Sequence, residues 1–168
     1  MEVNAMTRHA KLLLTAGAAA ALIGAGLAPV SEGGRKFVES LTGQAEIDAG
    51  ALSADMDGRG TAHVTVNVGQ GRLCWNLVGL SNLDPLIASH IHEAPSDRAG
   101  PIRISFFHFG EPIDLEGCTE VPGTTLHPFD RARLQDIIQN PQNYYVNIHT
   151  SAFPPGAIRG QLGKNKNK

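Results

Sequence analysis

The run TAHVTVNV at residues 61–68 is followed by Gly69-Gln70-Gly71 and then by RLCWNLVGL at residues 72–80. In the first run Ala62, Val64, Val66 and Val68 fall on one side and Thr61, His63, Thr65 and Asn67 on the other. A strict period of two is the pattern of a strand with one face in a core and one in solvent. The return run alternates too, with Leu73, Trp75, Leu77 and Gly79 opposing Cys74, Asn76, Val78 and Leu80. Two alternating runs across a glycine-bracketed turn read as an antiparallel hairpin. Trp75 sits among apolar neighbours, which places it in a core rather than on a sugar-binding surface. Around this hairpin the chain of 168 residues carries 19 glycines and 10 prolines, which punctuate turns and break helices. The class is all-β, a Greek-key β-barrel or sandwich.

Outward from the hairpin the same alternation returns. Leu86–Glu93 reads as a strand, and the loop 94–101 leads into Ile102–Phe109 as its hairpin partner. Upstream, Phe37–Ile47 reads as an irregular first strand and residues 50–60 as a connection. Downstream, Tyr144–His149 and Ala157–Leu162 read as the last strands, joined by Phe153-Pro154-Pro155-Gly156. One short helix interrupts the series, at 131–139. Asp130 is its N-cap, Phe129 staples onto Leu134, and Leu134, Ile137 and Ile138 form an i, i+3, i+4 stripe that should close one end of the barrel. Asn140-Pro141 ends it.

The two termini differ from this domain. Arg8, His9 and Lys11 precede the uncharged Leu/Ala/Gly-rich stretch Leu12–Val30. Residues 1–30 therefore read as an export signal or, uncleaved, as an N-terminal anchor, the only segment through which a membrane would be touched. Residues 163–168 form a basic Lys/Asn tail with nothing apolar to bury, expected to be disordered. The formal net charge of -2 leaves no basic face for nucleic acid. An exported chain is expected to be secreted, periplasmic or held at the cell surface. In that compartment the only two cysteines, Cys74 and Cys118, read first as a disulfide, with two free buried thiols as the alternative. The closed loop would contribute roughly 4 kcal/mol in the chain-entropy model.

Several motifs occur in a fixed order: Leu41-Thr42-Gly43, Gly79-Leu80-Ser81, His90-Ile91-His92, Gly100-Pro101-Ile102, Tyr145-Val146-Asn147-Ile148-His149-Thr150 and Gly156-Ala157-Ile158-Arg159-Gly160-Gln161-Leu162. Together they resemble the CHRD domain, the chordin-type repeat also common in bacterial secreted proteins, over residues 36–162. The resemblance implies a β-rich extracellular module that binds or supports rather than catalyses, with an extracellular protein or a surface ligand as its partner. Glu93-Ala94-Pro95 stands where the family usually has Gly-Pro soon after the second histidine.

The chemistry resides in histidines. His90-x-His92 on a strand puts two imidazoles on one face, about 7 Å apart along the chain. The resemblance makes the His149 segment their neighbour. Three neutral imidazoles from adjacent strands would make a copper or zinc site; the same rings could instead be hydrogen-bonded ties between the two signature segments. His108 and His127 are further candidates that read as exposed, and His63 lies on a polar strand face. His90-Ile91-His92-Glu93 with His149, Arg159 and a disulfide is also similar to the copper part of copper–zinc superoxide dismutases, which are Greek-key barrels. Residues 94–101 hold no histidine and only Asp97, so the zinc cluster of that enzyme has no counterpart and the enzymatic reading is set aside. Arg159 then reads as a strand charge paired with Glu93 or Asp84. No nucleophile elbow and no phosphate loop is present.

Overall fold

The computed structural model describes residues 33–163. The N-terminal segment 1–30 and residues 164–168 of the tail lie outside them. The elements are β1 (Arg35–Thr42), α1 (Gly43–Asp48), β2 (Arg59–Asn67), β3 (Arg72–Ser81), β4 (Leu86–Glu93), β5 (Ile102–Phe107), β6 (Glu116–Glu120), α2 (Arg131–Gln139), β7 (Tyr144–Thr150) and β8 (Ile158–Gln161). Among the described residues no helix is long and apolar enough to cross a membrane.

The eight strands form one antiparallel sheet in the order β5-β4-β7-β8-β1-β2-β3-β6. β3 pairs with β6 across two intervening strands, and β4 pairs with β7, which is the Greek-key connection. The sheet curls into a nearly closed barrel. Its two edges, β5 and β6, face each other, and Trp75 of β3 stacks on Phe106 of β5 with ring centres 4.6 Å apart and planes 5° from parallel. The indole Nε1 donates to the Asp114 carbonyl at 2.9 Å, so the bulky apolar ring enters the seam without stranding its one polar atom.

The core follows the alternation. Ala62, Val64 and Val66 of β2 and Leu73, Trp75 and Leu77 of β3 all point inward and are buried, with Val64 opposite Trp75 in the pairing. His63 is exposed, as its polar face requires. α2 spans the expected residues: Asp130 Oδ1 accepts from the Arg133 amide at 2.8 Å, Leu134 and Ile137 are fully buried, and Ile138 packs against the core. Phe129 is buried beside them.

Three local expectations need correction. The first strand stops at Thr42 rather than running to Ile47, because Thr42 caps a helix: its Oγ1 accepts from the Ala45 amide at 3.3 Å. Gly43 permits that turn, since a Cβ there would stand 1.9 Å from the Asp55 carbonyl oxygen. β6 is an additional strand that the pattern did not signal. Gly163, expected in the disordered tail, is held by its amide, which donates to Glu39 Oε1 at 2.7 Å.

Candidate metal centre

β7 is buried along its whole length. Tyr144, Val146 and Ile148 belong to the barrel core, so the alternate residues Tyr145, Asn147 and His149 point outward and are nevertheless covered. β4 lies beside it with His90 opposite Asn147, His92 opposite Tyr145 and Ala88 opposite His149. The period of two thus sets His90, His92 and His149 together on the outer face. A polar layer buried outside an apolar barrel must find partners for each nitrogen and oxygen.

The three rings find them only in part. His92 Nδ1 lies 2.9 Å from the Gly100 carbonyl and His149 Nδ1 lies 2.9 Å from the Pro154 carbonyl. A carbonyl only accepts, so each Nδ1 carries the proton and each Nε2 is left with a bare lone pair. His90 Nδ1 faces His149 Nε2 at 3.2 Å. His92 Nε2 is buried with no hydrogen-bond partner. One nitrogen from each of the three residues lies within 4.8 Å of the other two. The ring centres are 5.6 Å (His90–His92), 5.1 Å (His90–His149) and 5.8 Å (His92–His149) apart.

Burial keeps these imidazoles neutral. It pushes His90 down to about 3, helped by His149 and His92 close by, and His92 down to about 4 against the opposing pull of the Gly100 carbonyl. His149 is lowered by burial as well. Neutral imidazole is the form that donates a lone pair to a metal.

Behind His92 stands a second layer. Tyr145 stacks on the His92 ring at 4.9 Å and 12°, and the Arg159 guanidinium lies 3.3 Å from the centre of the Tyr145 ring. Tyr145 Oη accepts from the Gly100 amide at 3.2 Å. Arg159 donates to the Arg98 carbonyl at 3.1 Å and the Pro95 carbonyl at 3.4 Å. The loop that presents the Gly100 carbonyl to His92 is therefore pinned from below by one buried cation. This overturns the reading of Arg159 as a partner of Glu93 or Asp84. Glu93 instead takes Arg103 at 2.6 Å and Arg133 at 2.7 Å, while the acidic group nearest in effect to Arg159 is Glu46 of α1. The register explains it: Arg159 pairs with Asn147 and Thr42, away from the β4 terminus.

His108 and His127, expected to be exposed, are both half-buried. His108 Nδ1 contacts Glu111 Oε2 at 2.6 Å. His127, between β6 and α2, brings its ring centre to 5.7 Å from that of His90. Sequence reasoning missed the two carbonyls, Gly100 and Pro154, that orient the histidines; main-chain oxygens carry no residue signature, and only the glycine and proline of the turns hint at them.

A protein-family model described as the CHRD domain matches residues 37–162. The chain belongs to the CHRD domain family. The match runs from β1 to the residue after β8 and takes in His90, His92, His149, Arg159 and both cysteines, so the CHRD domain and the barrel are the same unit. No match is found among curated proteins or among solved structures. In this CHRD domain Cys74 and Cys118 face each other on β3 and β6 and are bonded, with Cα atoms 4.0 Å apart.

Proposed function

We propose that this CHRD domain is an exported binding module whose ligand is a transition metal, copper ahead of zinc, held by His92 Nε2, His149 Nε2 and a ring nitrogen of His90. The observation that carries the reading is the buried, partnerless Nε2 of His92, on a ring clustered with two other imidazoles while its own Nδ1 is committed to a carbonyl. Hydrogen-bonded ties account for the two Nδ1 contacts and for the His90–His149 pair, but not for that lone pair. Leaving a buried acceptor unmet costs about 1–3 kcal/mol. A metal would use it. Carbonyl-fixed Nδ1 atoms are also what orients metal-binding histidines elsewhere.

The donor set selects the ion class. Imidazole nitrogens without a carboxylate suit copper and zinc and disfavour magnesium, calcium and manganese, and Cu(II) outranks Zn(II) for a given nitrogen site. Rings bound to one ion through nitrogens at about 2.1 Å stand roughly 5 to 6.4 Å apart, centre to centre, and the three separations observed fall in that range. The Cys74–Cys118 bond supports an oxidising, extracytoplasmic setting. Partners of the module there, a surface ligand or another extracellular protein, would meet it outside the metal site. Binding rather than turnover is the role the family membership favours.

The test is elemental analysis of the metal-stripped chain re-equilibrated with copper and with zinc. One ion per chain is expected for the wild type, and none for His92→Ala with its circular dichroism unchanged. Stoichiometric metal retained by His92→Ala, or none taken by the wild type, removes this cluster as the site. Unfolding on His92→Ala with no metal on the wild type would return the histidines to a hydrogen-bonding role.

A further inference from the structure

We infer that His127 is a fourth nitrogen ligand of this centre, brought in by the segment between β6 and α2. The inference rests on the three-histidine reading and extends it from an open site to a closed one. The His127 ring centre lies 5.7 Å from that of His90, a separation between those of His90–His92 and His92–His149. Rings at that separation can share one ion once their nitrogens turn toward it. The His127 Nδ1 is buried and has no hydrogen-bond partner, as is the case for Nε2 of His92.

The segment that carries it is built rather than loose. The His127 amide donates to Thr124 Oγ1 at 3.0 Å, the Phe129 amide donates to the Pro122 carbonyl at 2.8 Å, and Gly123 bridges to Pro128. Gly123 has φ +84°, and a Cβ there would stand 2.5 Å from the Phe129 ring and 2.8 Å from the His127 carbonyl oxygen. Only glycine lets the segment fold so closely on Phe129, which is itself buried in the core. The arm is thus anchored at its base and presents His127 over His90.

The nitrogens of His127 stand outside the 4.8 Å set formed by the other three, so ligation requires a short closing movement of this arm. Four protein ligands make a shell with no open position, which fits a site that retains its ion; three leave one position for an outside ligand. His127 would then act as the latch on the metal.

The experiment uses the full chain loaded with Cu(II). Affinity is measured by competition with a chromophoric chelator, and the visible and electron paramagnetic resonance spectra are followed through an azide titration. His127→Ala should keep one copper per chain, bind it at least tenfold more weakly, and change spectrum at azide concentrations that leave the wild type unaltered. His127→Phe keeps a ring of similar size without nitrogens, and should weaken binding by a similar factor. Wild-type affinity in both variants, with the azide response unchanged, overturns the assignment. Metal loss by His92→Ala in the same series shows that the three-histidine site stands without His127. A wild type that takes up no copper overturns both readings together.

Discussion

Glu46 is a carboxylate placed where its charge is poorly solvated. It is 5% exposed, Oε1 lacks a partner, and burial raises it from 4.5 to about 6, despite the opposing charge of Arg159 and a bond from Asn147. Since the folded value exceeds the unfolded one, the native state binds more protons in this window. The stability from this group is full below about pH 4.5 and is lost as pH rises through about 6. Glu46→Gln should therefore be more stable than the wild type at pH 7 by about 1–2 kcal/mol, with the advantage gone at pH 4. Urea unfolding at both pH values checks this, and a Gln variant less stable at pH 7 would contradict it. The outward pairing of His90 with His92 was legible from the strand period alone. The tautomers were not, because they depend on how the adjoining turns fold the Gly100 and Pro154 carbonyls back onto the rings, and a main-chain oxygen carries no residue signature.

At the scale of the element, α2 is tied at both faces. Leu134 and Ile137 enter the core, while Arg133 bridges Glu93 of β4 and the Tyr144 hydroxyl, 2.7 and 2.9 Å away. The Tyr144 hydroxyl also donates to Asp136. The helix is thus fastened to β4 and β7, the two strands that carry the histidines. Leu134→Ala should cost about 2–5 kcal/mol, the range for a fully buried leucine leaving a cavity, read as a lowered urea midpoint with unchanged slope. An effect under 1 kcal/mol would mean that the helix does not seal the barrel. Cap, stripe and stop of this helix were all readable because each is local. β6 was not: Glu-Gly-Cys-Thr-Glu is at most half-buried throughout, so no apolar alternation marks it. Its strand character comes from pairing with β3, and Cys118 opposite Cys74 was its one trace in the sequence. β1 was read too long for the converse reason, since a threonine cap and a close Gly43–Asp55 approach overrode an alternation that was already weak.

For the molecule as a whole, the disulfide and the histidine cluster lie on different parts of the barrel, β3–β6 and β4–β7. The double variant Cys74→Ser, Cys118→Ser should lose about 4 kcal/mol of stability for a loop of 44 residues, while still binding one metal per chain below its unfolding midpoint. Loss of metal from the folded variant would show that the two are coupled. Alternation, turn chemistry and histidine spacing by themselves determined the all-β class, the central hairpin, the capped helix and the shared face of His90 and His92, since each follows from backbone geometry over a few residues. Only the tertiary structure decided which strands are neighbours, and with that the burial of an outer polar face, the placing of Arg159 behind Tyr145 rather than beside Glu93, and the approach of His127 to His90. Strand order and loop packing arise from contacts between residues far apart in the chain, and no local period encodes them.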